Sequence, residues 1–477
     1  MTPLSGSDLL ALLPWLVTAG VPVLAMLAIA VRRSHGLVYG VTVTGILAAL
    51  AACAFTLGMT PRPVTSLFLV DRYAVLFTAL ALGAGLAVTC VCRGYLAARS
   101  DQPEEAYLLI LTALLGAGVL AMARHFAGFF LGLETLSVSL FALIAYPFRN
   151  ERALEAGIKY LVLSGVASGF LVFGMALVYA GTGTLEFAGL AAAPETLTSL
   201  MGMILILAAA GFKLSLVPFH LWTADVYQGA PAPVTALLAT VSKGAVFVLL
   251  LRFALSGGLT RTPLLADILG LLAAVSMLAG NLLALYQNNV KRLLAYSSIA
   301  HMGYLIIVLV AGMDIGAAFA GEALLFYLAA YFVTTLAAFG VVTVLSPEDA
   351  EAEDLDDYYG LFRSRPWLAG VLTAALLSLA GIPLTAGFVG KFYLFAAAGK
   401  AGLWALLAVL VIGSGLGLYY YLRFVSLMVR APEAGEVAVP RPIPVAGGLV
   451  LAVLLLLLFG LGIYPSAVME ALAGALR

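Results

Sequence analysis

Long hydrophobic segments, separated by short polar breaks, follow one another along almost the whole chain. A membrane-spanning helix needs about 20 mostly apolar residues, and segments of that length recur up to the C-terminus. They begin near Leu9, His35, Asp71, Glu105, His125, Arg152, Leu200, Pro233, Thr262, Lys291, Gly316, Pro366, Gly402 and Arg441. The pattern predicts an all-α polytopic membrane protein with about fourteen transmembrane helices. Because Arg32 and Arg33 follow the first segment and no Lys or Arg precedes it, this segment is predicted to be a retained span.

The composition agrees with a protein that lies in lipid. Of the 477 residues, 63% are hydrophobic and 10% are charged, and the mean hydropathy is +1.11. Lys plus Arg and Asp plus Glu number 24 each, which indicates neither a basic face for nucleic acid nor an acidic disordered protein. The three cysteines, Cys53, Cys90 and Cys92, are too few for a four-thiolate iron–sulfur cluster. We expect them to be small core residues.

Positive charges are distributed unevenly between alternate breaks. The odd-numbered breaks hold Arg32, Arg33, Arg93, Arg99, Arg149, Arg152, Lys291, Arg292, Arg363, Arg365, Arg430 and Arg441. The even-numbered breaks hold Arg62, Arg72, Arg124, Arg252, Arg261 and Lys400. The positive-inside rule assigns the richer side to the cytoplasm, so both termini are predicted to face outward.

One polar connection is long and strongly acidic. It runs from Ser346 to Arg365, and its carboxylates are Glu348, Asp349, Glu351, Glu353, Asp354, Asp356 and Asp357. We predict a solvated linker, with a partner-docking segment as the alternative.

Two predicted spans are interrupted by a similar combination of proline, glycine and lysine. The seventh contains GFKLSLVPFH at Gly211–His220, and the twelfth contains GIPLTAGFVGK at Gly381–Lys391. Paired interruptions of this kind mark the ion site of transporters built from repeats, and such breaks persist only inside protein or beside water. Because the breaks are five helices apart, spans 4–8 and 9–13 are predicted to be inverted five-helix repeats with hydrated cavities. The predicted units are residues 1–104 with three N-terminal spans, 105–256 and 257–430 with the two repeats, and 431–477 with the C-terminal span.

Several ionisable residues are predicted to lie where the bilayer core excludes charge. Glu134 and Lys243 are near the middle of the fifth and eighth spans, and Lys213 precedes the break in the seventh. Snorkelling to either surface is difficult from such positions, so intramembrane charge indicates function. The candidate proton-transfer residues are Glu134, Lys159, Lys213, His220, Lys243, His301 and Lys391. We expect the lysines to form a polar axis through the membrane interior.

Such lysines are suited to loading and releasing protons. Burial disfavours the charged form of a lysine, and a nearby carboxylate favours it. Moving one proton against about 100 mV takes about 2.3 kcal/mol, and one pKa unit corresponds to about 1.4 kcal/mol. The opening and closing of a Glu134–Lys213 pair is therefore the hypothesised driving change. Static ion pairs that fix helix packing, and an interfacial role for His220, are the alternatives.

Three stretches of the chain resemble the antiporter-like membrane subunits of respiratory complex I. They are GFKLSLVPFHLWTADVYQGAPAPVTALLATVSKGAVF at Gly211–Phe247, NNVKRLLAYSSIAHMGY at Asn288–Tyr304, and DDYYGLFRSRPW with GIPLTAGFVGKFYLF between Asp356 and Phe395. The chain is most similar to the N-type branch, because it stops at Arg477, directly after its fourteenth predicted span. The resemblance covers nearly all spans.

The resemblance implies a fold of fourteen helices with two inverted five-helix repeats and broken seventh and twelfth helices. It places Glu134, Lys213, Lys243 and Lys391 at the family's fifth-, seventh-, eighth- and twelfth-helix positions, and Lys159 at a sixth-helix lysine of the N-type branch. The expected function is proton translocation in the bacterial inner membrane, driven by redox chemistry in partner subunits. Those neighbouring antiporter-like and small membrane subunits are the expected partners, with lipid and without nucleic acid. NADH, FMN, iron–sulfur clusters and quinone are expected in the partners, with no cofactor or metal in this chain.

Two other functions remain open at this point. A subunit of a multisubunit cation/proton antiporter or of a membrane-bound hydrogenase shares the broken helices and buried lysines. A membrane scaffold, whose charges only assemble a complex, belongs to a different class. The glycines at Gly413, Gly415 and Gly417 fall within a hydrophobic helix, which favours close helix packing over nucleotide binding.

Overall fold

The structure, a computed structural model, describes residues 5–147, 149–258, 263–347, 350–430 and 443–476. Its α-helices are α1 Gly6–Ala11, α2 Leu13–Val31, α3 His35–Thr56, α4 Arg72–Arg99, α5 Glu104–Met122, α6 Phe126–Ile144, α7 Glu151–Thr182, α8 Phe187–Ala192, α9 Leu197–Leu214, α10 Leu221–Gly229, α11 Ala232–Leu237, α12 Lys243–Phe253, α13 Pro263–Leu285, α14 Val290–Ile315, α15 Ala317–Leu345, α16 Leu361–Ser364, α17 Pro366–Ala380, α18 Ala386–Lys400, α19 Trp404–Val429, α20 Val445–Ile463 and α21 Pro465–Leu476. Short strands β1 Arg62–Pro63 and β2 Leu69–Val70 pair antiparallel.

The predicted class and number of spans are confirmed. Among the described residues, thirteen helices are long and apolar enough to cross a membrane. The remaining span, the twelfth in chain order, begins with α17, a shorter apolar helix, and continues in α18 beyond a break. Of the residues counted in the charge analysis, Arg261 and Arg441 lie outside the described ranges, as do the segment start Thr262 and the acidic Glu348 and Asp349. No observation tests the unit boundaries or the inverted relation of the repeats, which stay predictions.

Ion pairs gather the odd-numbered breaks at one end of the bundle. Arg33, in the first break, pairs with Glu105, after the third break, at 2.6 Å. Arg152, after the fifth break, pairs with Glu353, in the eleventh break, at 2.8 Å. The breaks with more positive charge therefore meet on one face of the protein, which we call the odd-break face.

The even-numbered breaks and both ends of the described chain lie at the opposite face. Arg62, in the second break, pairs with Asp8, near the N-terminus, at 2.5 Å. Arg72 donates a hydrogen bond to the Gly474 carbonyl at 3.0 Å, near the C-terminus. The two termini therefore share one face, as the charge count predicts. That this face points away from the cytoplasm stays a prediction.

The centre of the bundle is formed by three spans that are buried along almost their whole length. They are the eighth span, Ala232–Gly257, the tenth, Val290–Ile315, and the eleventh, Ala317–Leu345. The outer spans, including α2 and α20, leave most of their side chains at least partly exposed, as helices in lipid do. The eighth and tenth spans carry Lys243 and His301. The candidate residues on them are therefore shielded from lipid by surrounding helices.

The break in the seventh span is present, and the backbone groups it releases find partners. The helix α9 ends at Ser215, which takes a left-handed conformation with φ of 62°. The Val217 amide donates to the Ser276 hydroxyl at 2.9 Å, and the Trp222 indole donates to the Phe212 carbonyl at 3.1 Å. Because lipid offers no hydrogen bonds, this satisfaction by side chains is what allows the helix to be broken at membrane depth.

The break in the twelfth span is also present and is packed very closely. Gly381 ends α17 with φ of 85°, where a side chain would be strained. The Gly387 amide donates to the Ser378 hydroxyl at 3.0 Å. A Cβ at Gly387 would lie only 1.9 Å from the Ser378 carbonyl oxygen. The two halves of this span therefore depend on the absence of a side chain at Gly387.

Replacing Gly387 with alanine should lower the free energy of unfolding by about 2 kcal/mol, because the added methyl overlaps backbone that cannot move without opening the break. The measurement is the midpoint of thermal denaturation of the purified protein in detergent. Gly399→Ala is the matched control, since Gly399 lies on the same α18 with no neighbour within 4 Å of an added Cβ. Equal midpoints for the two variants would contradict the expectation.

The prediction that the acidic connection is a solvated linker is wrong for its described part. Residues 350–358, which we call the strap, fold back onto the odd-break face. Leu355 and Tyr358 are buried, the Val290 amide donates to the Glu353 carbonyl at 2.6 Å, and the Leu355 amide donates to the Asn288 carbonyl at 2.8 Å. Apolar anchors and backbone pairing therefore outweigh the acidity of the segment. Docking of a partner on its exposed side remains untested.

Candidate functional site

Lys213 is held in the first half of the bundle by neutral groups. Its ammonium donates to the hydroxyls of Ser137 at 2.6 Å and Ser164 at 2.5 Å. It lies 5.2 Å from the centre of the Tyr160 ring. The side chain is 3% exposed. Hydroxyl oxygens and an aromatic face thus stabilise a charge that would otherwise be very unfavourable in this place.

Glu134 lies near Lys213 but does not pair with it in this conformation. Its carboxylate accepts a hydrogen bond from Ser168 at 2.5 Å. Ser168 is one helical turn from Ser164, and Glu134 is about one turn from Ser137, so the two serines that bind Lys213 are neighbours of the Glu134–Ser168 pair. No ion pair joins Glu134 to Lys213 within 4.0 Å in the part of the chain that the structure describes. The hypothesised pair is therefore open here.

Lys243 occupies the centre of the bundle, directly after an irregular turn. Residues Leu238–Ser242 form a π-helical turn, and Lys243 begins α12. Its ammonium donates to the Ser298 hydroxyl at 2.8 Å and lies 5.3 Å from the centre of the Tyr227 ring. Single π turns within helices frequently accompany functional sites because the extra residue redirects side chains. The lysine is 1% exposed.

A chain of hydroxyls and rings runs from Lys243 into the second half. Tyr331 donates to Ser298 at 2.8 Å, and its ring centre lies 5.4 Å from that of His301. His301 Nδ1 is 2.7 Å from the Tyr327 hydroxyl. The ring centres of His301 and Tyr304 are 5.3 Å apart. His301 is therefore placed between the central lysine and the second break.

Lys391 completes this chain at the second break. Its ammonium donates to the Ala380 carbonyl at 2.9 Å, one of the groups released at the end of α17. It lies 5.4 Å from the centre of the Tyr304 ring. A cation at the C-terminal end of a helix is favoured both by the free carbonyls and by the helix dipole. The broken helix thus provides the oxygen partner for this lysine.

Two of the candidates lie elsewhere. Lys159 points away from the buried lysines, with a side chain 41% exposed and paired with Asp225 at 3.0 Å and with Glu155 at 2.7 Å. It is not part of the central axis in this conformation, so that part of the prediction is corrected. His220 lies partly buried in the first break, and its Nδ1 atom is buried without a hydrogen-bond partner among the described residues.

Sequence reasoning missed the tyrosines that accompany the lysines. Each of Lys213, Lys243 and Lys391 has an aromatic face at 5.2 to 5.4 Å, from Tyr160, Tyr227 and Tyr304 in turn. These three tyrosines are almost fully buried although their hydroxyls are polar. A tyrosine hydroxyl within a long apolar segment needs a polar partner, and this was the signal in the sequence that could have pointed to these residues.

A further ion pair, missed as well, lies under the strap. Lys291 pairs with Glu351, and both groups are largely buried. Burial alone would raise the pKa of the Glu351 carboxyl, but the charge of Lys291 and hydrogen bonds from Lys291 and Tyr95 hold it below its ordinary value. Glu351 is therefore ionised throughout the neutral range. The position of Lys291 at the start of the tenth span was predicted correctly, but the burial of its side chain was not predicted.

A cleft of about 480 Å³ opens at the face opposite the strap. It is lined by Asp71, Tyr73 and Arg252, among others. Arg252 pairs with Asp71 at 2.6 Å and donates to the Ala121 carbonyl at 3.0 Å. Arg252 follows Lys243 on α12 by nine residues, a rise of about 13 Å. The cleft therefore approaches the central lysine from the even-break side.

Comparison with known proteins shows the family to which the chain belongs. Residues 123–417 match the family described as NADH:quinone oxidoreductase/Mrp antiporter, transmembrane. The chain belongs to this family. The matched residues of this chain include both helix breaks and all seven candidate residues.

Two relatives of this family member are similar over nearly their whole lengths. The NADH-quinone oxidoreductase subunit N of Methylococcus capsulatus is 53% identical over 469 residues, covering 98% of this chain and 94% of that protein. The subunit of the same name from Ectopseudomonas mendocina is 49% identical over 483 residues, covering 99% and 97%.

Two solved structures share the fold of this chain. A chain of respiratory complex I from Thermus thermophilus is 36% identical, with a TM-score of 0.84, covering 97% of this chain and 100% of that chain. A chain of the Mrp complex from a Dietzia species is 21% identical, with a TM-score of 0.85, covering 98% and 96%. At that identity the second likeness concerns the fold alone.

No group of three or more His, Cys, Asp and Glu side chains in the described ranges is placed to hold a metal ion. The expectation that cofactors belong to partner subunits stays a prediction.

Proposed function

We propose that this chain is a proton-translocating membrane subunit of an NADH-quinone oxidoreductase and that its protons move along Lys213, Lys243 and Lys391. The assignment to that complex follows the names of relatives 53% and 49% identical over almost the whole chain. The redox energy is supplied by partner subunits in the inner membrane, and the odd-break face is the cytoplasmic one.

One observation carries the proposal: none of the three buried lysines contacts an ionised partner among the residues that the structure describes. Each ammonium is bound by hydroxyl or carbonyl oxygens and an aromatic face instead. A lysine locked in a static ion pair is held in its charged form, because loss of the proton would leave a buried carboxylate alone. A lysine bound by neutral groups releases its proton without leaving such a charge. The arrangement therefore favours proton transfer over a purely structural role.

The links between the lysines differ on the two sides of Lys243. Toward Lys391, Ser298, Tyr331, His301 and Tyr304 follow one another without a gap in contact. Toward Lys213, the hydrogen bonds that the two lysines make to the described residues do not meet, and each lysine faces its own aromatic ring, Tyr160 beside Lys213 and Tyr227 beside Lys243. We infer that proton passage on this side needs water or a rearrangement, and that the closing of the Glu134–Lys213 pair is that rearrangement.

Removal of Glu134, Lys213 or Lys391 by alanine substitution should reduce proton pumping by about tenfold in the assembled complex, because the two lysines carry the proton and Glu134 forms the pair that lets it pass Lys213. The measurement is quinone-reductase activity together with acidification of vesicles that contain the complex. Lys400→Ala is the control for the loss of a lysine from α18, since Lys400 is exposed at the end of the helix that carries Lys391. Full pumping by all three variants would refute the proposal.

A further inference from the structure

Lys291 is buried at the odd-break face, and its main partner comes from the strap. The ammonium donates to the Glu351 carboxylate and, at 3.1 Å, to the Ala230 carbonyl. The same carboxylate accepts from the Tyr95 hydroxyl at 2.6 Å and from the Ala232 amide at 2.9 Å. One carboxylate thus joins the start of α11, the start of α14 and the end of α4.

The position of Lys291 relates it directly to the central lysine. Lys291 and Ser298 are seven residues apart on α14, which places them on one face, about 10 Å apart. Ser298 accepts the hydrogen bond of Lys243 at 2.8 Å. On α11, the Thr235 hydroxyl donates at 3.4 Å to the Ala230 carbonyl, which Lys291 also contacts. Polar groups therefore continue from Lys291 toward Lys243 between α11 and α14.

Glu351 differs from the partners of the other buried lysines because it does not belong to a spanning helix. The hydroxyls that bind Lys213 and Lys243 are on spanning helices α6, α7 and α14. The strap is instead a connection that follows α15. It is held by backbone bonds, by the buried side chains of Leu355 and Tyr358, and by hydrogen bonds and ion pairs of side chains, among them Arg99 with the Ala350 carbonyl and Arg152 with Glu353. Such a segment can separate from the bundle without moving a helix. Its departure would take the counter-ion of Lys291 with it.

We infer that Lys291 is a further proton-carrying residue of this chain, with Glu351 as a counter-ion that the strap withdraws and returns. The inference rests on the proposed function. When Glu351 leaves, the buried ammonium is uncompensated, and releasing a proton is the least unfavourable response. An N–H bond of Lys291 breaks, the Ser298 hydroxyl accepts that proton through intervening water, and it passes its own proton to neutral Lys243. Lys291 then takes a proton from water at the odd-break face, and Glu351 returns.

The test is Lys291→Arg in the assembled complex. Arginine keeps the positive charge and can pair with Glu351, but it cannot release a proton. If Lys291 carries protons, pumping should fall about tenfold while the amount of assembled complex stays unchanged, because only deprotonation is blocked. If the pair is merely structural, Lys291→Arg pumps normally and the inference is overturned. Glu353→Gln is the matched control, since Glu353 lies in the same strap and pairs with an exposed Arg152.

A second measurement covers the case in which Lys291→Arg fails to assemble. Asn289 and Asp354 face each other in an antiparallel bridge, so the double variant Asn289→Cys/Asp354→Cys is placed to form a disulfide that pins the strap. Pumping should be lost on oxidation and recovered on reduction, with each single variant unaffected. Normal pumping by the pinned protein would overturn the inference. Lys243→Ala, measured in parallel, separates failure of this inference from failure of the proposed function. If Lys243→Ala stops pumping while Lys291→Arg and the pinned protein pump normally, only the role of Lys291 is rejected. If Lys243→Ala pumps normally, the proposed function itself is rejected.

Discussion

A complex that carries Lys243→Ala should assemble normally, and its rate of proton pumping should be at least about tenfold lower, since the central proton-transfer group is absent. Lys243 is 1% exposed and lies between the first half of the bundle and the chain of groups that leads to Lys391. No other amine is placed in contact with Ser298 among the described residues. Protons that reach one half of the bundle therefore have no carrier to the other half. Acidification of reconstituted vesicles, normalised to complex content, is the direct measurement.

The scaffold alternative gives the opposite pattern for the same position. If Lys243 only holds helices together, removing it lowers the amount of assembled complex, and whatever assembles pumps normally. Lys243→Met is the matched variant, because methionine keeps the length of the side chain and avoids a cavity. Pumping retained by assembled Lys243→Met complex would exclude a proton-carrying role for this lysine. Loss in both variants with normal assembly would exclude the scaffold.

Removing the carboxylate of Asp71 should lower the free energy of unfolding by about 3 kcal/mol, because it leaves the buried guanidinium of Arg252 without its partner. Arg252 is 8% exposed and binds both carboxylate oxygens of Asp71, at 2.6 and 2.8 Å. Asp71 also caps α4 through the Ala74 amide at 2.8 Å. The midpoint of thermal denaturation of Asp71→Ala in detergent gives the size of the effect.

An ion pair at the same face supplies the comparison for Asp71. Asp8 pairs with Arg62 at 2.5 Å, but the arginine side chain is 34% exposed, so Asp8→Ala should lower the midpoint of thermal denaturation much less than Asp71→Ala does. Asp71→Asn retains an oxygen for the cap and isolates the effect of the lost charge. If Asp71→Ala is no less stable than Asp8→Ala, the Arg252 pair is not an important element of the fold.

The spans, the breaks and the buried lysines were predictable because strong physical rules govern each of them. A hydrophobic segment of helix length has few alternatives to crossing the membrane. Pro218 and Gly381 interrupt such segments, and Lys243 stands far from either end of its own. These features are local in sequence, so a single chain is enough to find them.

The orientation of a helix about its own axis was not predictable in the same way. Lys159 and Tyr160 are consecutive on α7, yet Tyr160 faces Lys213 and Lys159 faces outward toward Asp225. Because α7 is apolar on nearly all sides, its sequence does not show which face packs inward. Only the neighbouring helices decide that Tyr160, rather than Lys159, belongs to the buried line.

The strap was misjudged because composition cannot distinguish one carboxylate from another. Glu351 and Glu353 are two residues apart in the same acidic segment, yet Glu351 is nearly enclosed beside Lys291 while Glu353 pairs with an exposed arginine. The difference arises from Lys291, which lies 60 positions away in the chain. Long-range partners of this kind are decided by the tertiary fold and leave no local signal.

The tyrosine rings beside the lysines have an electrical consequence. A ring attracts an ammonium through its quadrupole but carries no net charge, so Lys213, Lys243 and Lys391 occupy sites that are neutral when empty and positive when loaded. Because no fixed negative charge from the described part of the chain contacts and cancels a loaded site, its field extends to the next site in a medium of low dielectric constant. Loading of one lysine therefore opposes loading of its neighbours. The line should fill alternately rather than all at once, and a proton that arrives at one end favours the departure of another further along.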